Sequence, residues 1–444
     1  MTSFQKKVHF VSLGCAKNRV DTEVMAGIAV SEGARIVADP KDADIIVVNT
    51  CAFIDKAREE SVDVILDSSR WTKEGKILVA AGCMAQRYGT ALAEEIPELQ
   101  YIIGTDKLDS LREVLRGSKS RMHLGDAGHF LQRSDTPRFV EPGSSSAYVK
   151  IADGCSRKCA FCAIPAIRGK AKSRSIEDIV TEAKQLARQG IKELNLVAQD
   201  TSAFGKDRDD EATLPLLLSS LNAIPDIRWI RLLYLYPDAV GVDLLDAMAS
   251  LEKVVPYLDI PIQHASHAML KAMRRGHEPS ALEDLLRRIH QRLPHAFLRT
   301  AVLVGHPGET ETDFLDLLAF MKKARFHHLG AFRYSPEEGT HSFQAASPVS
   351  ARVSYNRFRK LMALQRRIGR ERNAALLGKT IQVLVEGAAD DAGYVLVGRH
   401  AGQAPEVDGV TYLTSSSASS GDIVTAKVTK VGDFDIVAEE MRSW

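Results

Sequence analysis

The sequence predicts a multidomain α/β chain: a doubly wound parallel sheet, a partial (β/α)₆ barrel and a small antiparallel β-barrel. Three observations predict it. Apolar runs of strand length alternate with amphipathic stretches through the first 125 residues. The same rhythm repeats six times between residues 147 and 377. Short strands divided by turn residues then follow, without a helical pattern between them.

The first domain, 1–125, has strands in "KVHFVSLG", "DIIVVNT" and "KILVAAG", separated by helical "NRVDTEVMAGIAVSEG" and "IDKAREESVDVILDSSR". Residues 126–146 lose periodicity and gather Pro, Gly and Ser, as a linker does. The second domain, 147–377, takes its strands from "AYVKIAD", "ELNLVAQ", "IRLLYLY", "YLDIPIQ", "LRTAVLVG" and "HLGAFRYS". Its clearest helix is "SIEDIVTEAKQLARQG", with Ser175 as N-cap, Gly190 beyond its end, and Ile176, Ile179, Val180, Ala183 and Leu186 on one face. Six such units fall two short of a closed eight-unit barrel. The third domain, 378–444, offers "TIQVLVEG", "AGYVLVGR", "VTYLTSS", "DIVTAKVTKVG" and "DFDIVAEE", an OB-like set of strands.

Hydrophobic residues make up 45% of the 444, charged residues 26%, and the net charge is +1. The chain as a whole therefore does not advertise a polyanionic partner. No apolar run reaches the roughly 18 residues of a membrane span. The N-terminal run "VHFVSLG" is too weak for a signal core. A cytoplasmic protein with reduced thiols is expected, and disulfides are not.

The six cysteines fall into two sets. Cys15, Cys51 and Cys83 each follow a different parallel strand, at the carboxyl edge where open α/β sheets bind ligands. Cys155, Cys159 and Cys162 follow the first strand of the second domain as CxxxCxxC. That spacing also fits one face of a helix, but Gly154 and Pro165 favour a loop. Zinc would want a fourth ligand at short spacing, and no histidine occurs between 130 and 263. Iron–sulfur clusters suit thiolates, and three thiolates on a four-iron cluster leave one iron open to an exogenous molecule. A zinc scaffold and a two-cluster electron carrier remain open on spacing alone.

CxxxCxxC after the first strand of a partial barrel resembles the radical S-adenosylmethionine superfamily. The segments "VSLGCAKNRVDTE", "NTCAF" and "AGCMAQRY" are similar to the amino-terminal domain of its methylthiotransferases, and the last domain resembles their TRAM domain. The resemblance implies two 4Fe-4S clusters, each with three Cys ligands. Cys155, Cys159 and Cys162 would bind and cleave S-adenosylmethionine, and the cluster at Cys15, Cys51 and Cys83 would present sulfur. It implies a low-potential electron donor such as flavodoxin or ferredoxin. Phe161 is similar in position to an aromatic near the adenine, although a core role fits it equally. Gln199, Gln263 and Val304, at strand ends of the barrel, are candidate cofactor or substrate contacts.

Within the family, "LGCAKNRVD", "AQDTSAFG", "LYLYPD", "DIPIQHASHAMLKAMRRG" and "APEVDGVTYL" resemble the RimO-type branch. Its members add a methylthio group to the β-carbon of an aspartate in small-subunit ribosomal protein twelve. The alternative branch acts on isopentenyladenosine beside the tRNA anticodon and would show forms like "GQNVNAYG". One departure is His306 in "VGHPGET", where the family usually has Phe; it removes no proposed ligand. His264, His267, His327 and His328 have no metal-binding spacing and are read as structural or surface residues.

Charge offers a test independent of the resemblance. Residues 378–444 carry five basic and ten acidic side chains, a net charge of −5. An RNA-binding domain should be basic, so this one suits a basic protein partner. The preceding "YNRFRKLMALQRRIGRERN" holds seven basic residues against one acidic. It is expected to be an amphipathic helix, either solvated or docked on the acidic domain.

Overall fold

The computed structural model describes residues 5–128, 130–390 and 393–441. In the first unit, β1 (Lys7–Ser12), α1 (Ala16–Ser31), β2 (Arg35–Ile36), β3 (Ile45–Thr50), α2 (Asp55–Ser69), β4 (Ile77–Gly82), α3 (Cys83–Glu95), β5 (Tyr101–Gly104), α4 (Leu111–Leu115) and β6 (Met122–His123) alternate along the chain. The strands form one parallel sheet in the order β2-β1-β3-β4-β5-β6. β3 is buried along its whole length, as its unbroken Ile and Val require of a strand covered on both faces. The chain leaves β1 in one direction to β2 and then crosses to β3 on the other side. The carboxyl ends of β1 and β3 thus flank a topological switch point.

The second unit begins with β7 (Ser146–Lys150), β8 (Ala152–Asp153), α5 (Ile164–Arg168), β9 (Lys172–Ser173) and α6 (Ile176–Arg188). It continues through β10 (Glu193–Val197), α7 (Leu214–Asn222), β11 (Trp229–Leu232), α8 (Val242–Ser250), β12 (Val254–Asp259), α9 (His267–Ala272) and α10 (Pro279–Arg292). β13 (Phe297–Val304), α11 (Glu311–Ala324), β14 (His328–Arg333) and α12 (Ala351–Ala374) complete it. Six strands make an open parallel sheet, β14-β13-β12-β11-β10-β7. Strand period decides what each face carries. Leu194, Leu196, Ile230, Leu232 and Leu258 pack under the helices. The opposite face carries Val197, Trp229, Val255 and Tyr257, and charged Glu193 and Arg231.

That second face is closed by the other two units. β15 (Thr380–Ala388), β16 (Leu396–His400), β17 (Thr411–Leu413), β18 (Ile423–Val431) and β19 (Ile436–Glu440) close into a barrel in the order β15-β16-β17-β19-β18. All pairs are antiparallel except β17 with β19, which is parallel and completes the closure. Leu384 and Ala404 of this barrel, with Ala16 and Val20 of α1, pack on Tyr148, Trp229 and Tyr257. Beside them Glu193 bonds Arg399 at 2.5 Å and Arg231 at 2.8 Å, all three buried.

Three of the ten acidic side chains of the last domain pair with cations of the chain's other units. Asp408 bonds Arg299 at 2.8 Å and Tyr257 at 2.6 Å, Glu406 bonds Arg19 at 3.0 Å, and Asp433 bonds Arg370 at 2.7 Å. The basic helix α12 buries Leu361, Leu364 and Ile368 against the central unit and turns Arg370 toward the barrel. It is docked on the acidic domain.

Candidate active site

The N-terminal thiols occupy the switch point and the next strand. Cys15 is the N-cap of α1, Cys51 follows β3 directly, and Cys83 opens α3. Gly14, at φ +93°, allows the approach: a Cβ there would lie 2.8 Å from the Cys51 Cβ and 3.0 Å from its sulfur. Asn18 pins the two loops, its Nδ2 donating to the carbonyls of Leu13 (3.0 Å) and Thr50 (2.9 Å). Burial pushes the Cys51 thiol up to about 12, with the thiols of Cys83 and Cys15 adding to the rise. Enclosure also works against ionising Cys15, but Lys17 and Arg168 outweigh it and hold that thiol below its ordinary value. Cys51 thus senses the charge of both other thiols, and Cys83 that of Cys15.

The second set lies in the loop between β8 and α5. Residues 155–163 are not helical, as Gly154 and Pro165 suggested. The loop closes on itself through Cys155 N to the Gly169 carbonyl (3.0 Å) and Cys162 N to the Cys159 carbonyl (3.2 Å). Arg275 Nη1 lies 3.4 Å from the Cys159 sulfur, and the Tyr236 hydroxyl lies 4.0 Å from it. Arg157 and Arg275 sandwich the Tyr236 ring, each 3.8 Å from its centre. Burial lifts Cys162 to about 12, and the neighbouring thiols Cys159 and Cys155 contribute to the rise.

Among the described residues, no group of three Cys, His, Asp or Glu could hold a single metal ion. One ion would need three sulfurs within about 2.3 Å of a common point. An iron–sulfur cluster does not, because each thiolate binds its own iron. Two all-thiol sets, each near cationic side chains, fit that donor chemistry.

Between the sets runs a charged network that the sequence did not disclose. Arg168, at the end of α5, donates to Asp21 (2.7 Å), Asp153 (3.1 Å) and Asn18 Oδ1 (2.9 Å), and its Nη2 lies 3.3 Å from the Cys83 sulfur. Lys150 bonds Asp21 at 2.5 Å and Asp153 at 2.9 Å. Burial would raise the Asp153 pKa, but Lys150 and Arg168 drive it well below the usual carboxylate range. Lys17, two positions beyond Cys15, sits 3.5 Å above the Tyr234 ring on the central unit. Apart from Lys150 with Asp153, three positions apart, these contacts join residues well separated in sequence, so local spacing could not have shown them.

The other candidates scatter. Gln199 donates to Asp153 at 2.7 Å and so belongs to the network. Gln263, at φ +68°, bridges to Val302 through its backbone. Phe161 packs with Met269, Met273 and Leu303 beside the thiol loop. The Val304 side chain is buried in the core beneath the helices, which leaves its backbone as the part nearest the strand end. His306 bonds Ser342 Oγ at 2.8 Å, and Ser342 N donates to Ala160 in the thiol loop, so this residue anchors the loop's cover. His264 is buried 3.6 Å from Glu309, and His328 bonds the Gly402 carbonyl at 2.7 Å in the interdomain contact. His267 is exposed and paired with Glu278.

Three family matches tile the chain: uncharacterized protein family UPF0004 over residues 7–104, the radical SAM superfamily over 149–321 and the TRAM domain over 377–440. The ribosomal protein uS12 methylthiotransferase RimO of Sorangium cellulosum (strain So ce56) is 45% identical over 98% of this chain and 91% of its own. Its namesake from Aquifex aeolicus (strain VF5) is 44% identical over 98% and 97%. Among solved structures, the radical S-adenosylmethionine methyltransferase TsrM of Kitasatospora setae, with cobalamin and a [4Fe-4S] cluster bound, has TM-score 0.54 at 16% identity, covering 75% of this chain and 77% of its own. At that identity the likeness shows the fold.

Proposed function

The chain belongs to the RimO family of ribosomal protein uS12 methylthiotransferases within the radical SAM superfamily, and we propose that it performs that family's reaction. It would replace a hydrogen on the β-carbon of an aspartate in small-subunit ribosomal protein twelve with sulfur, then methylate that sulfur. The observation that carries this reading is the pair of three-thiol sets on facing domains, joined by Arg168.

Cys155, Cys159 and Cys162 would hold the 4Fe-4S cluster that the superfamily uses with S-adenosylmethionine, and Cys15, Cys51 and Cys83 a second one. Bound there, an open cluster with S-adenosylmethionine supplies one-electron chemistry able to remove hydrogen from an unactivated C–H bond. The chain's own part is placement. Arg168 and Asn18 fix the N-terminal thiols against the loop of the other set, so that a substrate carbon can lie between them. Gln199, through its bond to Asp153, and Gln263 at a strand end would contact cofactor or substrate, Phe161 would buttress the loop, and Val304 would offer its backbone. The loop of Cys155, Cys159 and Cys162 is partly exposed, which suits entry of an electron from a flavodoxin or ferredoxin.

No helix of the described residues is long and apolar enough to cross a membrane. Reducing donor and ribosomal substrate would both be met in the cytoplasm. Incubating reconstituted enzyme and S-adenosylmethionine with uS12 or with tRNA tests the reading by mass spectrometry. A methylthio mass gain on uS12, with release of 5′-deoxyadenosine, is expected. Gain on tRNA alone would assign the chain to the other branch.

A further inference from the structure

A groove of about 990 Å³ opens between α2 and α3, outside everything assigned above. Its floor is apolar, formed by Val62, Leu66, Met84, Leu92 and Ile96, with Phe343 of the central unit closing one side. Leu66 is 50% exposed and Phe343 46%, an apolar surface that stays wet unless something covers it. The rim is acidic: Asp55, Glu59, Asp63, Glu95 and Glu338. The one cation among the described lining residues, Arg58, is already held by Asp55 and Glu337.

Position matters as much as charge. Asp55 lies in the stretch that follows Cys51, and its backbone N–H donates to Ser335 Oγ of the central unit at 3.0 Å. The groove therefore begins beside the N-terminal thiol set and is walled by two domains.

We infer that this groove docks a basic, amphipathic segment of the protein substrate, remote from the residue that is modified. The inference rests on the proposed ribosomal-protein substrate. A protein that lives against RNA phosphates carries clustered Lys and Arg. Such a segment can lay its apolar face on the floor while its cationic heads reach the acidic rim. Nucleic acid would be repelled by the same rim. Several carboxylates of the C-terminal barrel are tied to the chain's own arginines, whereas Glu59 and Asp63 are exposed, four residues apart on one face of α2.

The test compares full-length uS12 with a short peptide spanning the modified loop, using the reconstituted enzyme. Binding is read by titration calorimetry at two salt concentrations and modification by mass spectrometry. The double variant Glu59→Lys/Asp63→Lys is expected to weaken full-length binding by about tenfold or more and to flatten its salt dependence. Leu66→Ser should weaken the same binding without changing that dependence. Peptide modification should match wild type in both variants. Unchanged full-length binding, or an equal loss on the peptide, overturns the inference. Self-association of the wild type that the double variant abolishes would assign the groove to a second copy and also overturn it. If wild-type enzyme modifies neither substrate, the functional reading itself fails and takes this inference with it.

Discussion

Arg168 follows Cys162 by six positions in sequence yet touches Cys83 in another domain. It is buried with Asp21 and pairs also with the partly buried Asp153, so its charge is matched where water has little access. Removing one member of such a group leaves the others buried and uncompensated, which costs about 3–5 kcal/mol. Arg168→Gln is expected to lose stability of that order in denaturant titration. Arg168→Lys should recover only part, because an ammonium cannot reproduce a planar fork reaching a sulfur, an amide and two carboxylates. The cysteines were legible in the sequence because thiols are few and their positions relative to strands can be counted. Arg168 was not, since one arginine among 58 basic residues carries no mark of its partner.

Secondary-structure elements show the same divide. Strands and helices were legible because their apolar periodicity is local, and the five strands of the last domain were each visible between turns. The stretch at 126–146 reads as a free connector, but its described part is tied down. Arg138 bonds Glu23 of α1 at 2.5 Å and Glu182 of α6 at 2.6 Å, and Phe139 N donates to the Glu23 carbonyl at 2.8 Å. It acts as a strap between units, held by residues 115 and 44 positions away. Gly27 on α1 makes room for it: a Cβ there would lie 2.4 Å from the Arg138 backbone nitrogen. Gly27→Ala should displace the strap at a cost of about 1–3 kcal/mol, beyond the small gain in helix propensity. Faster proteolytic cleavage between residues 130 and 145 would report it.

At the scale of the molecule, the central sheet depends on its neighbours for a lining. Burial would raise the pKa of Glu193, but Arg399 and Arg231 outweigh it and hold the carboxyl below its usual range. A carboxylate depressed in the folded state stabilises fully above its unfolded pKa of about 4.3 and loses that contribution as pH falls through the folded value. Thermal melts should therefore show wild type falling steeply below about pH 4, where Glu193→Gln, already weakened by about 3–5 kcal/mol at neutral pH, falls less. A similar slope for both proteins would remove Glu193 from the interdomain contact. The net charge of the last domain was countable from sequence, but where each charge points depended on packing that brings Arg19 to Glu406 across 387 positions. That span has a consequence for biosynthesis. Domains emerging from the ribosome fold in turn, N-terminal first. The first domain and the central sheet are thus made before the barrel that carries Arg399 and Glu406. The apolar face of the central sheet at Trp229 and Tyr257 therefore stays uncovered until the barrel docks, which makes the interval before docking the one most open to aggregation.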